Sequence, residues 1–485
     1  MRSADDRLAG DASAAAGGTY AAAGAAEPDG LAAASDLAGY KRAPQASPAM
    51  RSAGFALAAL MRAGMRSTPI AALPPLAEGA TWRGVYKLAH HDSVEAITWV
   101  GLADSARSEL PEELRREWQT QADLTLMRQL QFDVERERIV AQMEAAGLSW
   151  LALKGVPIAS YYPVPGIRSM ADNDILYGFV EELPAGEPGT GKPGARGARS
   201  QNDEAVTAGS GYRIQGATEA EREETRAEGI KTIVRIMEGL GYRGAHIGAS
   251  KDDCFFKEPM FNFEMHRGLM GDLDEDIPAF SSYYANPWLR ARRDPADPHR
   301  FVYAPADEYL YFLAHAYKHY SRAGCGVRFI ADEWVYLQRY EDELAGGYLR
   351  GELGKLGLTE FDALSRCMAE HLFAGDPHVA PAFTEEEVDI WLYLLGCGTY
   401  GLQDNRVAVR LEALQDKGES AAQARAIYLL GRLFPSYQWC ARYWPVLRHH
   451  KWLYPAFLVY RIVRGAVQKP GKILRELRAT RRLGD

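Results

Sequence analysis

The chain has 485 residues, of which 47% are hydrophobic and 25% are charged, so it can form the cores of two or three ordinary folded domains. Its formal net charge of −8 provides no overall basic field, and bulk electrostatics therefore gives no strong signal for a nucleic-acid partner. Five well-separated cysteines without a Cys-x-x-Cys pair, no transmembrane segment and no secretion-type N-terminus together predict a reduced, cytoplasmic protein.

The N-terminal part of the chain is predicted to be a tail followed by helices. Residues 1–50 are dominated by Ala and Gly without apolar periodicity, which predicts a disordered tail. Residues 51–147 are predicted to form a helical region, because apolar residues recur at helical spacing over 52–65, 82–102 and 110–147.

A short apolar run at 148–153 predicts a strand that leads into Lys154 and Gly155. Glycine at this position would allow a phosphate group to approach the backbone, and the lysine would supply a positive charge to it. A brief helical stretch up to Tyr162 is expected next. This strand opens the candidate catalytic core, to which we assign residues 148–270.

The segment 168–176 places two carboxylates, Asp172 and Asp174, at the start of an apolar run. Because alternate residues of a strand share a face, both would point the same way, on the order of 6–7 Å apart at the backbone, with Asn173 on the other side. Two anions this close favour a divalent cation, since repulsion and burial would otherwise push one carboxyl group to take up a proton. The alternative is a turn rich in Asp and Asn before a strand.

Residues 184–212 interrupt the core with Gly, Pro, Ser and charged residues, which predicts a disordered insertion. Gly-Glu-Pro-Gly-Thr-Gly-Lys at 186–192 has the spacing of a phosphate-binding P-loop. However, Pro193 replaces the Ser or Thr that would bind Mg²⁺, and no amphipathic helix follows to hold the phosphates. We therefore do not assign this segment as a P-loop.

After the insertion the pattern predicts a helix over 218–240 and a hairpin of strands at 254–256 and Phe261–His266. The second strand alternates strictly, so Glu264 and His266 lie on its polar face. If the sheet sets Glu264 beside the two aspartates, three carboxylates would be available for one or two Mg²⁺ ions that bind the phosphates of a nucleotide.

Residues 271–345 are the predicted helical domain that completes the cleft. His315 and His319 stand one helical turn apart, but the glutamate of a His-Glu-x-x-His zinc site is absent. A polar stripe of His315, Lys318 and His319 would instead face the cleft, where Lys318 could meet a phosphate or an acidic acceptor. The alternative is that the histidines are hydrogen-bonded packing residues. Arg328 is either a substrate contact or the partner of Asp332 in a structural ion pair.

The remaining chain is predicted to be a helical C-terminal region over 346–465 and a basic tail over 466–485. A basic amphipathic tail can lie on an anionic membrane or on RNA. A solvated tail is the alternative.

The most specific motifs of the chain are spread over the candidate core and the helical segment after it. They are Lys-Gly at 154–155, Tyr-Tyr-Pro-x-Pro-Gly-x-Arg-x-Met-x-Asp-x-Asp-Ile-Leu at 161–176, Glu-x-His at 264–266, Ala-Pro-Ala-Asp-Glu-Tyr-Leu at 304–310, His-Ala-Tyr-Lys-His at 315–319 and Gly-Val-Arg-Phe-Ile-Ala-Asp at 326–332. Together they resemble the uncharacterised nucleotidyltransferase family of the DNA polymerase β-like superfamily. A weaker similarity at 433–437 and 454–455 extends the resemblance over residues 80–465.

The resemblance implies an α+β fold, in which a small mixed β-sheet forms the nucleotidyltransferase core between N-terminal and C-terminal helical domains. It also implies a Mg²⁺-dependent enzyme, with Mn²⁺ as a substitute. Such an enzyme would transfer a nucleoside monophosphate from an NTP, with ATP expected, to a hydroxyl group of an acceptor and release pyrophosphate. The acceptor could be a small molecule, a peptide or a protein.

The resemblance also implies roles for individual residues. Asp172, Asp174 and Glu264 would be the catalytic and metal-binding carboxylates. Many relatives have Gly-Ser where this chain has Lys-Gly, so the phosphate contacts are expected from four other positions, with His266 near the substrate. These four positions are Lys154, Gly155, Arg168 and Ser169.

Two other classes of protein remain open at this point. A protein that keeps the fold without the activity would serve as a binding or scaffold protein, because fold does not prescribe function. A carboxylate-based hydrolase such as a glycosidase would need its acid and base on opposite sides of the substrate, whereas these carboxylates are expected side by side.

Overall fold

A computed structural model describes residues 46–184, 211–271, 277–376, 381, 383–399, 401–444, 446–468 and 470–482. The predicted tail, up to residue 45, and residues 185–210 of the predicted insertion lie outside the described residues. Most of the described chain is helical, and its strands form a mixed seven-stranded sheet and a separate two-stranded ribbon. The fold is therefore α+β, as the sequence predicts.

The chain folds into two compact units. Within the described residues, the first unit contains 123–315 and 333–366, and the second contains 46–122, 316–332 and 367–482. Each unit thus combines segments that lie far apart in the sequence. The six-part division made from the sequence stays a prediction.

All the strands described lie in the first unit. They are β1 (Ser149–Leu153), β2 (Asn173–Gly178), β3 (Val180–Glu182), β4 (Tyr212–Ile214), β5 (Arg243–Ala245), β6 (Asp252–Lys257), β7 (Phe261–His266), β8 (Ala291–Asp294) and β9 (Asp297–Tyr303). The large sheet has the order β5-β6-β7-β2-β1-β9-β8, and β3 pairs with β4. The β2–β7 and β1–β9 pairs are parallel, and the other pairs of the large sheet are antiparallel. Strand β2 therefore lies at the centre, between β7 and β1.

The helices account for most of the remaining described chain. The α-helices are Pro48–Met65, Trp82–His91, Glu95–Val100, Asp104–Glu109, Glu112–Ala145, Gly155–Ala159, Glu219–Gly239, Pro278–Tyr283, Pro305–Tyr320, Arg328–Arg339, Glu341–Leu344, Gly347–Leu356, Thr359–Phe373, Glu385–Cys397, Gln403–Gln415, Ala421–Leu433, Tyr437–Tyr443, Val446–His449, Tyr454–Gln468 and Pro470–Arg482. None of the helices in these ranges is both long and apolar enough to cross a membrane.

Two helix predictions illustrate what local sequence determines. The helix predicted over 218–240 is present as Glu219–Gly239, and Thr218 caps it through a reciprocal capping box with Glu221. The helix predicted over 82–102 is broken, because Ser93 adopts a positive φ of 54° that ends the first segment before Glu95–Val100 begins.

One face of the sheet is packed into the core of the first unit. Alternate residues of β2 and β7 point to this face and are fully or almost fully buried, together with side chains of the helices Glu112–Ala145 and Glu219–Gly239. The set includes Phe132, Ile139, Met143, Ile175, Tyr177, Ile233, Met237, Phe255, Phe263 and Met265. Each such side chain stabilises the fold by about 1.5–3 kcal/mol. The opposite face of the same strands carries the acidic residues.

Candidate functional site

The candidate site forms where the carboxylates of two neighbouring strands meet. Strands β2 and β7 run parallel, and their register sets Asp174 directly opposite Glu264. Parallel neighbours are about 4.8 Å apart, so the two carboxylates stand side by side on one face of the sheet. The expected placement of Glu264 beside Asp174 is therefore present. Asp172 was expected on the strand, but β2 begins at Asn173, and Asp172 is half-buried in the approach to it.

Asp174 is buried and its carboxylate is held by two side chains. Its Oδ1 accepts a hydrogen bond from Lys154 Nζ at 2.7 Å and lies 2.7 Å from His266 Nε2. Lys154 can reach it because β1 pairs antiparallel with β2 and ends at Leu153, directly opposite Asp174. Within the described part of the chain, no hydrogen bond reaches Oδ2 of Asp174. That oxygen is the one available to a further cation.

The charges of the site are strongly coupled. Burial by itself would raise the pKa of Asp174, but Lys154 and then His266 lower it well below its usual value, so the carboxyl group stays ionised. Burial likewise opposes the charged form of Lys154, yet its pKa is raised because Asp174, Glu264 and Asp172 all attract its ammonium group. The three acidic residues identified from the sequence therefore all attract the same ammonium group, that of Lys154.

The Lys154–Gly155 turn has a specific steric requirement. Lys154 adopts a positive φ of 50°, which is unusual for a residue with a side chain. A Cβ atom at Gly155 would lie 2.6 Å from Arg168 Nη1, so the guanidinium group would have to shift if any other residue stood there. Arg168 is buried at 6% exposure, and its Nη1 donates to Met170 Sδ at 3.1 Å. The sequence predicted glycine for phosphate approach, and the structure adds this contact with Arg168.

His266 is buried among charged groups of the site, and its expected place near the substrate stays a prediction. Its ring is fully buried, and Nε2 faces Asp174 while Nδ1 lies 3.2 Å from Lys251 Nζ and 3.3 Å from the Gly268 carbonyl oxygen. Glu264 Oε2 is 3.6 Å from the same Nε2. His266 is therefore a buried partner that holds the carboxylates of Asp174 and Glu264 in place.

Sequence reasoning missed two residues of this site. Asp252 on β6 is paired with Lys251 Nζ at 2.9 Å and stands opposite His266 in the sheet register. Burial opposes its ionisation, but Lys251 and His266 lower the pKa of Asp252 to about 2. The strand predicted at 254–256 begins two residues after Asp252, so the predicted hairpin did not include it.

Tyr311 is the second missed residue. It lies in the helix Pro305–Tyr320 and is 2% exposed, and its hydroxyl group has no hydrogen-bond partner among the described residues. Burial raises its pKa, and it interacts electrostatically with Lys154, Asp174, Asp252 and Glu264. A buried, unpaired hydroxyl group next to four charged groups is costly unless a ligand meets it. Because Tyr311 is part of a helix remote in sequence, no local motif marks it.

The sequence also predicts five further residues for the site, which are Ser169, His315, Lys318, His319 and Arg328. Ser169 is half-buried near the Arg168 turn. His315 is the last residue of the first unit in its helix, whereas Lys318, His319 and Arg328 belong to the second unit. The carboxylate site belongs to the first unit, and each unit is described by itself. The roles of these residues at the carboxylate site therefore stay predictions.

The donor set decides which metal the site suits. One ligand atom each of Asp174, Glu264 and His266 lies within 4.8 Å of the others. Because His266 Nε2 is already directed at Asp174, the oxygens of Asp174, Glu264 and the nearby Asp172 are the natural ligands, and oxygen ligands suit Mg²⁺. The residues present therefore fit a hard divalent cation.

The mixed sheet thus presents an aspartate and a glutamate on adjacent strands, next to the Lys154–Gly155 turn. The chain belongs to the uncharacterised nucleotidyltransferase family, whose model matches residues 78–179 and 225–374, just over half of the sequence. The matched segments contain β1, β2, β7 and Tyr311. Comparisons with curated proteins and with solved structures find no match to this chain.

Proposed function

We propose that the protein is a metal-dependent nucleotidyltransferase, which moves a nucleoside monophosphate from an NTP, with ATP as the expected donor, to a hydroxyl group of an acceptor. The observation that carries the proposal is the in-register pair of Asp174 and Glu264, with Lys154 attracted by both and by Asp172. Three carboxylates around one ammonium group leave an excess of negative charge, which favours divalent cations, and such cations would in turn bind a triphosphate.

Asp172 and Asp174 would hold the divalent cations, and Glu264 would complete one site or act as a general base toward the acceptor hydroxyl group. Mg²⁺, or Mn²⁺ in its place, would neutralise the triphosphate and lower the pKa of the acceptor hydroxyl group. His266 acts as a positioning residue, because it fixes the orientation of Asp174 through a 2.7 Å contact.

Lys154 and Arg168 are the proposed phosphate-binding residues, with Gly155 and Ser169 beside them. Lys154 is bound to Asp174 Oδ1 and can exchange that contact for a phosphate oxygen when a metal ion neutralises the carboxylate. Arg168 offers a planar group for two phosphate oxygens and lies against Gly155. The acceptor hydroxyl group would attack the α-phosphorus, the bond to the β-phosphate oxygen would break, and pyrophosphate would leave.

The side-by-side carboxylates also argue against a hydrolase of the glycosidase type. Asp174 and Glu264 extend from the same face of one sheet, on neighbouring parallel strands. An acid and a base that act across a sugar ring need to flank the bond that breaks.

The test is binding of Mg²⁺-ATP by calorimetry to the full chain and to Asp174→Asn. The amide cannot balance a divalent cation, so nucleotide affinity should fall by about tenfold or more, equal to about 1.4 kcal/mol. Asp123→Asn, which alters an exposed carboxyl group in the same unit, is the matched control and should bind normally. Unchanged affinity in Asp174→Asn would remove this residue from the site.

A second measurement separates enzyme from scaffold. The full chain is incubated with a cell extract and isotopically labelled ATP, and mass spectrometry searches for a species that gains a nucleotide. A nucleotide-bearing product that Asp174→Asn does not form supports the transferase. Tight nucleotide binding without any such product would favour a binding or scaffold protein.

A further inference from the structure

A second cluster of potential metal ligands lies in the second unit, outside the carboxylate site. Cys367 and His371 stand one turn apart near the C-terminal end of the helix Thr359–Phe373. Glu387 lies in the first turn of the helix Glu385–Cys397. A thiol, an imidazole and a carboxylate, which are three common protein ligands of transition metals, are thus brought together from two helices.

The three donor atoms converge on a small volume. Cys367 Sγ lies 3.3 Å from Glu387 Oε1 and 3.9 Å from His371 Nδ1. His371 Nδ1 lies 2.8 Å from the same Oε1. These three distances are the edges of a triangle formed by the sulfur, nitrogen and oxygen atoms, so each donor atom lies close to the other two.

The geometry differs from that of a nucleophile and its base. In a Cys-His-acid arrangement the thiol contacts one ring nitrogen and the acid contacts the other, so that the ring can relay a proton. Here the thiol and the carboxylate both approach Nδ1 of His371. Convergence of three ligands on one point is instead the arrangement that a metal ion needs.

We propose that Cys367, His371 and Glu387 bind a zinc-type divalent cation, with a fourth position open to water. Tetrahedral bonds of about 2.3 Å to sulfur and 2.0–2.1 Å to nitrogen and oxygen place sulfur about 3.5 Å from each partner, and nitrogen about 3.3 Å from oxygen. The observed edges of 3.9, 3.3 and 2.8 Å reach these values with shifts of about half an ångström. A thiolate and a carboxylate would neutralise the charge of the ion.

The surroundings hold two of the ligands in position. The Glu387 carboxylate accepts from the Thr384 backbone N–H at 2.8 Å, and the Glu387 N–H donates to Thr384 Oγ1 at 3.2 Å. The His371 carbonyl oxygen accepts from Arg62 Nη2 at 2.7 Å, and Arg66 Nη1 donates to the Phe373 carbonyl oxygen at 3.1 Å. Such outer contacts orient metal ligands and raise affinity.

Charge and access also favour a cation here. The last turn of a helix carries a partial negative charge, and His371 lies in the last turn of Thr359–Phe373. The Glu387 side chain is 7% exposed, whereas His371 is 40% exposed and Cys367 is an exposed cysteine. An ion can therefore enter from solvent on the thiol side and meet a fixed carboxylate behind it.

The test is a titration of the full chain with Co²⁺, which replaces Zn²⁺ and gives a near-ultraviolet charge-transfer band only when a thiolate binds it. The band should rise to one equivalent in the wild type and disappear in Cys367→Ser. Cys254→Ser is the matched control, because Cys254 belongs to the first unit and is paired with Glu264 in the strand register. It should retain the band.

Competition with Zn²⁺ gives the second measurement. Zn²⁺ should displace Co²⁺ in the wild type, and Glu387→Gln should weaken Zn²⁺ binding by about tenfold or more. Asp174→Asn should leave both results unchanged, so this test is independent of the proposed transferase. A wild type without a thiolate band, or a band that survives in Cys367→Ser, would overturn the proposal.

Discussion

Lys154 Nζ donates to Asp174 Oδ1 at 2.7 Å, so the turn that ends one strand neutralises the carboxylate at the start of the next. This ion pair is almost wholly buried, with side-chain exposures of 15% and 4%. Two aspartates alone would repel each other, and their replacement by Asn would stabilise the fold. The pairing with Lys154 means that Asp174→Asn leaves a buried ammonium group instead.

Replacement of Lys154 by methionine is the first test of this relationship. The variant should lose about 3–5 kcal/mol of stability, because it leaves a buried carboxylate with only His266 as a partner. Mg²⁺ should then raise its melting temperature more than it raises that of the wild type, since the ion can take over the neutralisation of Asp174. Thermal unfolding with and without Mg²⁺ measures both effects. If Mg²⁺ raised the melting temperature of the two proteins equally, Lys154 and the metal ion would not share Asp174 as a partner.

Arg168 provides a second prediction, which distinguishes phosphate binding from structural support. Arg168→Lys retains the charge but loses the planar group, so a phosphate-binding arginine should lose about tenfold or more in Mg²⁺-ATP affinity. Calorimetry measures that loss, and thermal unfolding of the same variant measures stability. A lower melting temperature with normal affinity would make Arg168 a support for the Gly155 turn alone.

Gly155→Ala is the companion variant for Arg168. An added Cβ atom would lie 2.6 Å from Arg168 Nη1, so the guanidinium group has to move. We expect Gly155→Ala to lose nucleotide affinity as Arg168→Lys does, because both changes alter the contact between Gly155 and Arg168. Gly239→Ala is the matched control, since its Cβ would meet nothing within 4 Å. Normal affinity in Gly155→Ala would show that the Arg168 position is not critical.

A third prediction concerns pH and Glu333, a buried acid of the first unit. The Tyr309 hydroxyl group lies 2.6 Å from both Glu333 Oε1 and Asp362 Oδ1. One hydroxyl hydrogen cannot serve two carboxylates, so Glu333 must hold a proton, while Asp362 pairs with Arg366 at 3.0 Å. Burial, reinforced by the charge of Asp362, raises the pKa of Glu333 to about 8.

The sign of the pH effect follows from that raised pKa. The stability contributed by protonated Glu333 is fully present below the unfolded pKa of about 4.3 and is lost as pH rises through the folded value. In this window the free energy of unfolding should fall by up to about 1.4 kcal/mol per pH unit. Glu333→Gln can donate to Tyr309 without titrating and should flatten the curve. Denaturant unfolding at several pH values compares the two, and equal slopes would contradict the assignment.

Much of the sheet and part of the site could be predicted from the sequence. The strict alternation of β7 and the apolar run of β2 are local patterns, and they placed Glu264 on a polar face that could meet Asp174. The Lys154–Asp174 ion pair could not be predicted, because it depends on the antiparallel register of β1 and on an unusual positive φ at Lys154. The same holds for Arg168 over Gly155, a contact that only the folded turn creates.

Tyr311 gives the last prediction, because its hydroxyl group has no partner among the described residues although it lies beside four charged groups. Removal of an unpaired buried hydroxyl group relieves a cost of about 1–3 kcal/mol, so Tyr311→Phe should unfold at the same or a higher temperature than the wild type. If the hydroxyl group meets a phosphate or the acceptor, the variant should nevertheless lose nucleotide affinity or turnover.

The contrast between these two measurements assigns the role of Tyr311. Stability that holds or rises while nucleotide affinity or transfer falls identifies a ligand-binding hydroxyl group, since a structural one would lower both. Tyr303→Phe is the matched control: the Tyr303 hydroxyl group donates to the Pro287 carbonyl oxygen at 2.6 Å, so its loss should lower stability and leave affinity unchanged. Normal affinity and normal transfer in Tyr311→Phe would place this hydroxyl group outside the reaction.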